Sequence, residues 1–127
     1  MQLDAIGIVV TDLAAAVRFY RLLGLPFADP GADEDHLEAA TTGGVRVMLD
    51  KEALIKSFAP DWVEPRGQRV VLAIRCASPA EVDATYAAIV AAGFTGAKPP
   101  WDAFWGQRYA QVADPDGSKV DLFAPLA

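Results

Sequence analysis

Two periodicities alternate along the chain. Ala5 to Val10 (AIGIVV) is a short β-rich run, and Thr11-Asp12 then gives way to a helical pattern. Leu13, Val17 and Tyr20 share one helix face, Ala16, Phe19 and Leu23 lie beside them, and Arg18 and Arg21 point outward. A helix is therefore predicted over residues 13–23, with Asp12 as N-cap and Gly24 as the closing residue. Residues 25–28 read as extended and 29–35 (DPGADED) as an acidic, turn-rich loop. Residues 36–40 and 45–49 read as two strands joined by a hairpin turn. A short helix falls within 51–60, and an irregular crossing that carries Trp62 spans 61–67.

The pattern then repeats. Residues 69–76 read as a strand, and Ser78, Pro79 and Glu81 form an N-cap, a first-turn proline and the N3 member of a capping box. The helix runs to about residue 91, packing Val82, Tyr86, Ile89 and Val90, and Gly93 closes it. Residues 94–98 are extended. Pro99-Pro100 excludes a helix and places Trp101, Phe104 and Trp105 on a loop ended by Gly106. Residues 107–113 alternate, with Tyr109, Gln111 and Ala113 on one side and Arg108, Ala110 and Val112 on the other. Asp114-Pro115-Asp116-Gly117 is a turn, because Pro fixes φ, Gly supplies positive φ, and the carboxylates bond local N–H groups. Residues 120–123 return as a strand that contains Asp121.

Laid on each other, the halves match: strand, capped helix, closing glycine, strand, hairpin. Gly44-Val45-Arg46-Val47-Met48-Leu49 parallels Gly117-Ser118-Lys119-Val120-Asp121-Leu122. Such a repeat predicts an α+β fold of two βαβββ modules, about 1–60 and 68–127, within a single domain over 1–127. Neither module buries its sheet alone, so the two are expected to pair around a central cavity.

Composition narrows the function. The chain has 127 residues, of which 53% are hydrophobic, enough for one cored domain. A net charge of -6 argues against nucleic-acid and anionic-membrane surfaces and favours cationic ligands. The one cysteine, Cys76, lies in an apolar strand and has no disulfide partner. No apolar run approaches the roughly 20 residues of a membrane span, and the first residues lack the basic start of a secretory leader, so a cytoplasmic protein is expected. No phosphate-binding glycine loop, CxxC pair or Ser/His/Asp set is present.

Three stretches, IGIVVTDLAAAVRFYRLLGLPF at 6–27, VLAIRCASPAEVDATYAAIVAAGF at 71–94 and WGQRYAQVADPDGSKVDLF at 105–123, resemble the vicinal oxygen chelate superfamily. That superfamily holds glyoxalase I, extradiol dioxygenases, fosfomycin-resistance enzymes and bleomycin-resistance binding proteins. The resemblance implies eight strands, two helices, a cavity on the inner sheet face and a homodimer. Open sheet edges point to the same isologous dimer. The metal-ligand positions of the metalloenzymes map onto Ala5, Met48, Val71 and Asp121. Ala and Val have no donor atom, a thioether is a poor ligand for a hard divalent metal, and a lone Asp cannot hold a catalytic one. No metal and no cofactor is therefore expected.

The resemblance then implies a metal-free binding protein of the bleomycin-resistance type, sequestering an aromatic or cationic compound such as an antibiotic. The alternative is a metal-free isomerase or lyase in which Asp121, desolvated by an apolar cavity, acts as acid or base; a solvated strand Asp is the competing reading. Trp101, Phe104 and Trp105 are the candidate stacking wall for a planar ligand, against ordinary packing. Arg108 or Tyr109 could supply a polar contact, and Arg108 could equally pair with a surface acid. Met48 occupies a ligand-equivalent position, and Phe58 and Trp62 on the linker are candidate caps. The single histidine, His36, lacks a second His or Cys and reads as a surface residue at a strand end. A further class, a regulatory or structural domain whose cavity is filled by its own side chains, would leave no open pocket beside Trp101 and Trp105.

Overall fold

The structure is a computed structural model that describes residues 1–127. The chain divides into two compact units, Met1–Pro65 and Arg66–Ala127. The first contains β1 (Ala5–Val10), α1 (Leu13–Leu22), β2 (His36–Ala39), β3 (Arg46–Lys51) and α2 (Glu52–Phe58). Its sheet has the order β1-β3-β2, with β1 parallel and β2 antiparallel to the central β3.

α1 starts where the Asp12 carboxylate accepts the Ala15 N–H at 3.0 Å, which satisfies one of the free donors of the first turn. Leu13, Ala16, Val17 and Tyr20 are buried on its inner stripe, and the helix packs on β3. Strand alternation gives β3 two different faces. Val47 and Leu49 are buried core residues, and Arg46, Met48 and Asp50 project from the opposite face.

The unit has three strands, one fewer than the repeat implies. Two N–H groups of residues 25–28 are spent locally: Leu25 donates to the Tyr20 carbonyl at 3.2 Å and Phe27 to the Leu25 carbonyl at 2.9 Å. Pro26 has no N–H to give. The Leu25 and Phe27 side chains are still buried, and Phe27 meets Tyr20 edge-on with ring centroids 6.5 Å apart. The apolar pattern thus marks a packed segment that cannot join a ladder.

The second unit contains β4 (Leu72–Arg75), α3 (Pro79–Ala91), β5 (Thr95–Ala103), β6 (Gln107–Ala113) and β7 (Lys119–Pro125). Its sheet runs β4-β7-β6-β5, with β4 parallel to β7 and the other pairs antiparallel. The totals are seven strands and three helices, not eight and two. Ser78 Oγ accepts the Glu81 N–H at 3.2 Å. The Glu81 carboxylate reaches back to the Ala77 N–H, one residue upstream of a standard capping box.

α3 packs on β5, β6 and β7. Val82 and Ile89 are fully buried, as are Ala110, Val112, Val120 and Leu122. Each buried Val, Leu or Ile contributes about 1.5–3 kcal/mol. Gly96 lets the Tyr86 ring lie against the backbone, since a Cβ there would be 2.2 Å from the Tyr86 hydroxyl oxygen and would push the ring aside. No helix is long and apolar enough to cross a membrane.

Trp101 is on a strand, not a loop, because β5 runs straight through Pro99-Pro100. β5 is an edge strand, and the register shift between Lys98 and Trp101 leaves Pro99 and Pro100 outside the paired positions, so their missing N–H groups cost no ladder bonds. The pairing register shifts on both sides of Lys98, between Gly96 and Lys98 and between Lys98 and Trp101. Only Phe104, Trp105 and Gly106 form the β5–β6 turn. Gly106, at φ +87°, takes the left-handed position and donates to the Ala103 carbonyl at 3.0 Å.

Candidate functional site

The β-sheet of the second unit has a helix-side face and an opposite face. Arg108 defines the first: its guanidinium bonds Asp83 on α3 at 2.9 Å and Asp102 at 3.1 Å. Ligand contact at Arg108 therefore gives way to the surface ion pair. Ala110 and Val112, two and four residues on, are on the same side and fully buried.

The opposite face is built from two cross-strand rows. One row is Trp101, Tyr109, Phe123 and Arg75, aligned across β5, β6, β7 and β4. The adjacent row is Lys98, Gln111, Asp121 and Ala73. Cross-strand neighbours are the packing unit of a sheet, and here they make an aromatic band beside a polar one. Trp101 and Tyr109 meet at 5.5 Å between ring centroids, and Tyr109 stacks on Phe123 at 6.3 Å with 26° between planes. Trp105 folds over from the turn, edge-on to Trp101 at 6.0 Å and to Tyr109 at 5.2 Å. Its indole N–H donates to Gln107 Oε1 at 2.8 Å. Phe104 touches Trp105 at 5.0 Å but is 97% exposed at the tip of the hairpin.

Asp121 is buried in this face. Its Oδ2 accepts the Tyr109 hydroxyl at 2.5 Å and its Oδ1 accepts the Gln111 amide at 2.9 Å. A buried carboxylate needs such partners, and no buried side-chain polar atom in the chain lacks one. Burial, and then the bond to Asp121, push Tyr109 up to about 12. Tyr109 is thus a neutral hydroxyl at physiological pH, fixed in orientation by Asp121. Lys98 lies over the Trp101 ring, its ammonium 4.0 Å from the centroid, a cation–π geometry.

Phe123, Gln111 and Lys98 were not singled out from sequence. Alternation from Asp121 reaches Phe123, and alternation from Tyr109 reaches Gln111, so both were within reach of the strand pattern. Lys98 was not, because the register shifts around it break the period of two.

The other candidates belong to the first unit. Met48 projects from the face of β3 opposite α1, with its Cε 3.5 Å from where a Cβ on Gly7 would sit. Phe58 is exposed at the end of α2, and Lys56 lies 5.2 Å from the centroid of Trp62. On the Met48 face, His36 is the exposed strand-end residue expected, and it is tied to two carboxylates. Its Nδ1 bonds Asp50, and its Nε2 lies 2.7 Å from Glu38 Oε2. Arg46 links Glu38 to Asp4, the latter at 2.6 Å. Bonds to Asp50 and then Glu38 raise the His36 pKa above its ordinary value. The sequence signal was the strand itself: extending β3 past Leu49 puts Asp50 opposite His36.

The positions that the resemblance gives to a metal do not fit one. Ala5 and Val71 have no donor, Met48 offers only sulfur, and both Asp121 oxygens are already bonded. No group of three or more His, Cys, Asp or Glu residues is arranged to hold a metal ion.

Comparison with known proteins places the chain. It is similar to a glyoxalase/bleomycin resistance protein/dioxygenase from Nocardioides, at 28% identity over 99% of this chain and 84% of that one, with a TM-score of 0.75. A family enzyme from Burkholderia phytofirmans PsJN shares its fold at a TM-score of 0.85 and 19% identity, covering 99% and 100% of the two chains. A glyoxalase-related enzyme from Fulvimarina pelagi does so at 0.83 and 22%, over 97% and 87%. No curated protein matches significantly. The profile of the Glyoxalase/Bleomycin resistance protein/Dioxygenase superfamily matches residues 2–122, and the chain belongs to that superfamily.

Proposed function

We propose that this protein is a metal-independent small-molecule binding protein that holds a planar aromatic compound against the β5–β6–β7 face of its second unit. The observation that carries this reading is the aromatic band: Trp101, Tyr109 and Phe123 in one cross-strand row, with Trp105 standing edge-on beside it. Trp105 stays 48% exposed, so part of a large apolar surface remains open on a face that also carries fixed polar groups. A few convergent polar groups beside apolar and aromatic surface are the usual make-up of a ligand site. Tyr109 and Gln111, both held by Asp121, fill the polar part.

Asp121 has a positioning role in this account. As an acid or base in an isomerase or lyase step it would first have to release Tyr109 or Gln111, and that bonding favours the binding reading over catalysis. The donor set supports chemistry-free capture in the same direction, since three of the four family ligand positions lack a suitable atom.

The test begins with the protein purified from its own host. A native mass spectrum is expected to contain a bound small aromatic species, and Trp105→Ala is expected to lose it while keeping its circular-dichroism spectrum. Retention of that species by both Trp105→Ala and Trp101→Ala would overturn the reading.

A further inference from the structure

The chain as a whole is acidic, with a net charge of -6, and this alone favours cationic ligands. The charges on the aromatic face itself run the other way. Three formal charges stand in its two rows: Lys98 and Arg75 are positive and Asp121 is negative. The carboxylate is the one that is already engaged, with Tyr109 on one oxygen and Gln111 on the other. To serve as counter-ion to a bound cation it would have to give up a bond in a buried setting, which is costly. The Trp101 ring, the natural seat for a quaternary or primary ammonium, already has Lys98 over it at 4.0 Å. An incoming cation would meet both an occupied ring and a like charge.

Arg75 differs from both. It is exposed at the end of the aromatic row, level with Phe123. It takes part in no ion pair or side-chain hydrogen bond, whereas Arg21, Arg46 and Arg108 are all paired with acids. A guanidinium with five donors and no acid beside it is suited to a carboxylate, which it can grip through two parallel bonds.

We propose that the ligand is a planar aromatic acid: its ring lies on the Tyr109–Phe123 band and its carboxylate is taken by Arg75, while Lys98 over Trp101 turns cationic compounds away. This rests on the reading of that face as the binding site and assigns the class of molecule that it takes. Arg75 and Lys98 are then the residues that set specificity.

Three probes of one shape separate the possibilities: 2-naphthoate, 2-naphthalenemethanol and (2-naphthylmethyl)trimethylammonium, each titrated by calorimetry into the full-length protein. Naphthoate is expected to bind about tenfold tighter than the alcohol, equivalent to ~1.4 kcal/mol, and the ammonium compound more weakly than either. Arg75→Gln, an exposed substitution, should bring naphthoate down to the level of the alcohol and leave the alcohol unchanged. Lys98→Gln should raise affinity for the ammonium compound. Rising salt should erode the naphthoate preference and spare the alcohol. Equal binding of naphthoate and alcohol, or a preference that survives in Arg75→Gln, overturns the aromatic-acid assignment and leaves the stacking site standing. Tighter binding of the ammonium compound does the same in favour of cations. Binding of none of the three removes the stacking site and the assignment together.

Discussion

The two units share a frame and differ in what they hang on it. In each, a capped helix covers one sheet face, the first strand runs parallel to the last, and a hairpin partner lies antiparallel beside it. The helix-side residues are alike: Val47 and Leu49 in one unit, Val120 and Leu122 in the other, all buried. The opposite faces are not. The first unit sets a chain of charges there, Asp4–Arg46–Glu38–His36–Asp50. The second sets aromatic rings and one hydrogen-bonded carboxylate. Helix-side faces of a repeated module answer to packing, which both copies must satisfy, while the opposite faces are free to diverge.

If the shared frame is real, the largest effects should be equal between units. Leu49→Ala and Leu122→Ala each remove a fully buried side chain. Each is expected to cost about 2–5 kcal/mol in urea unfolding. A cost for one within the ~0.5 kcal/mol typical of a surface change would show that its unit is not built on the same core.

Binding should break the symmetry. Phe123→Ala, which removes a ring of the Tyr109–Phe123 band, is expected to weaken a planar aromatic ligand by about 2 kcal/mol, roughly thirtyfold, as for a stacked aromatic at a binding hot spot. Phe104→Ala, at the exposed tip, should weaken it less and leave stability within ~0.5 kcal/mol. Calorimetric titration of both variants, paired with thermal melts, checks this. A larger binding loss at Phe104 would move the contact from the sheet face to the turn.

A smaller and more diagnostic difference lies in pH. The folded chain holds the His36 proton more tightly than the unfolded chain does, so this stabilisation is complete below about 6.5 and is lost as pH rises through the raised folded value. Glu38 works in the opposite sense: bonds to His36 and then Arg46 lower its pKa, so its contribution is present above 4.5 and is lost as pH falls through the folded value. In the second unit, Tyr109 rises from 10.0 to about 12, so its stabilisation is present below 10 and fades between those values. His36→Gln should therefore flatten the near-neutral part of the stability–pH curve, and Tyr109→Phe the alkaline part. Interchanged effects would contradict the assignment of charges to one face and rings to the other. His36 is the only histidine, so its imidazole proton resonance also reports its titration directly.

Much of the frame was legible because it rests on local rules. Asp12 and Ser78 act as caps in the structure, and the Asp114 carboxylate takes the Asp116 and Ser118 N–H groups at 2.9 Å each in the predicted turn. What sequence misjudged depended on hydrogen-bond partners rather than on pattern. Residues 25–28 have strand-like apolarity, but the Leu25 and Phe27 N–H groups bond locally and Pro26 has none, so the eighth strand is missing. Pro99-Pro100 reads as a break in sequence but lies within an edge strand, because a register shift leaves both prolines outside the ladder pairing. Of the site, Trp101, Trp105, Tyr109 and Asp121 could be named in advance. The contacts of Asp121 with Gln111 and of Lys98 with Trp101 could not, since each depends on cross-strand register and, for Lys98, on shifts that no periodicity records.

The binding surface we propose is the aromatic face of the second unit. The most direct measurement follows the indole N–H resonances of Trp101 and Trp105 and the side-chain amide of Gln111 during titration with 2-naphthoate. All three should shift along one saturable curve, and the Trp105 signal should also report any change at its bond to Gln107. Resonances of Trp101, Trp105 and Gln111 that stay fixed while signals elsewhere move to saturation would place the ligand on another surface and contradict the account.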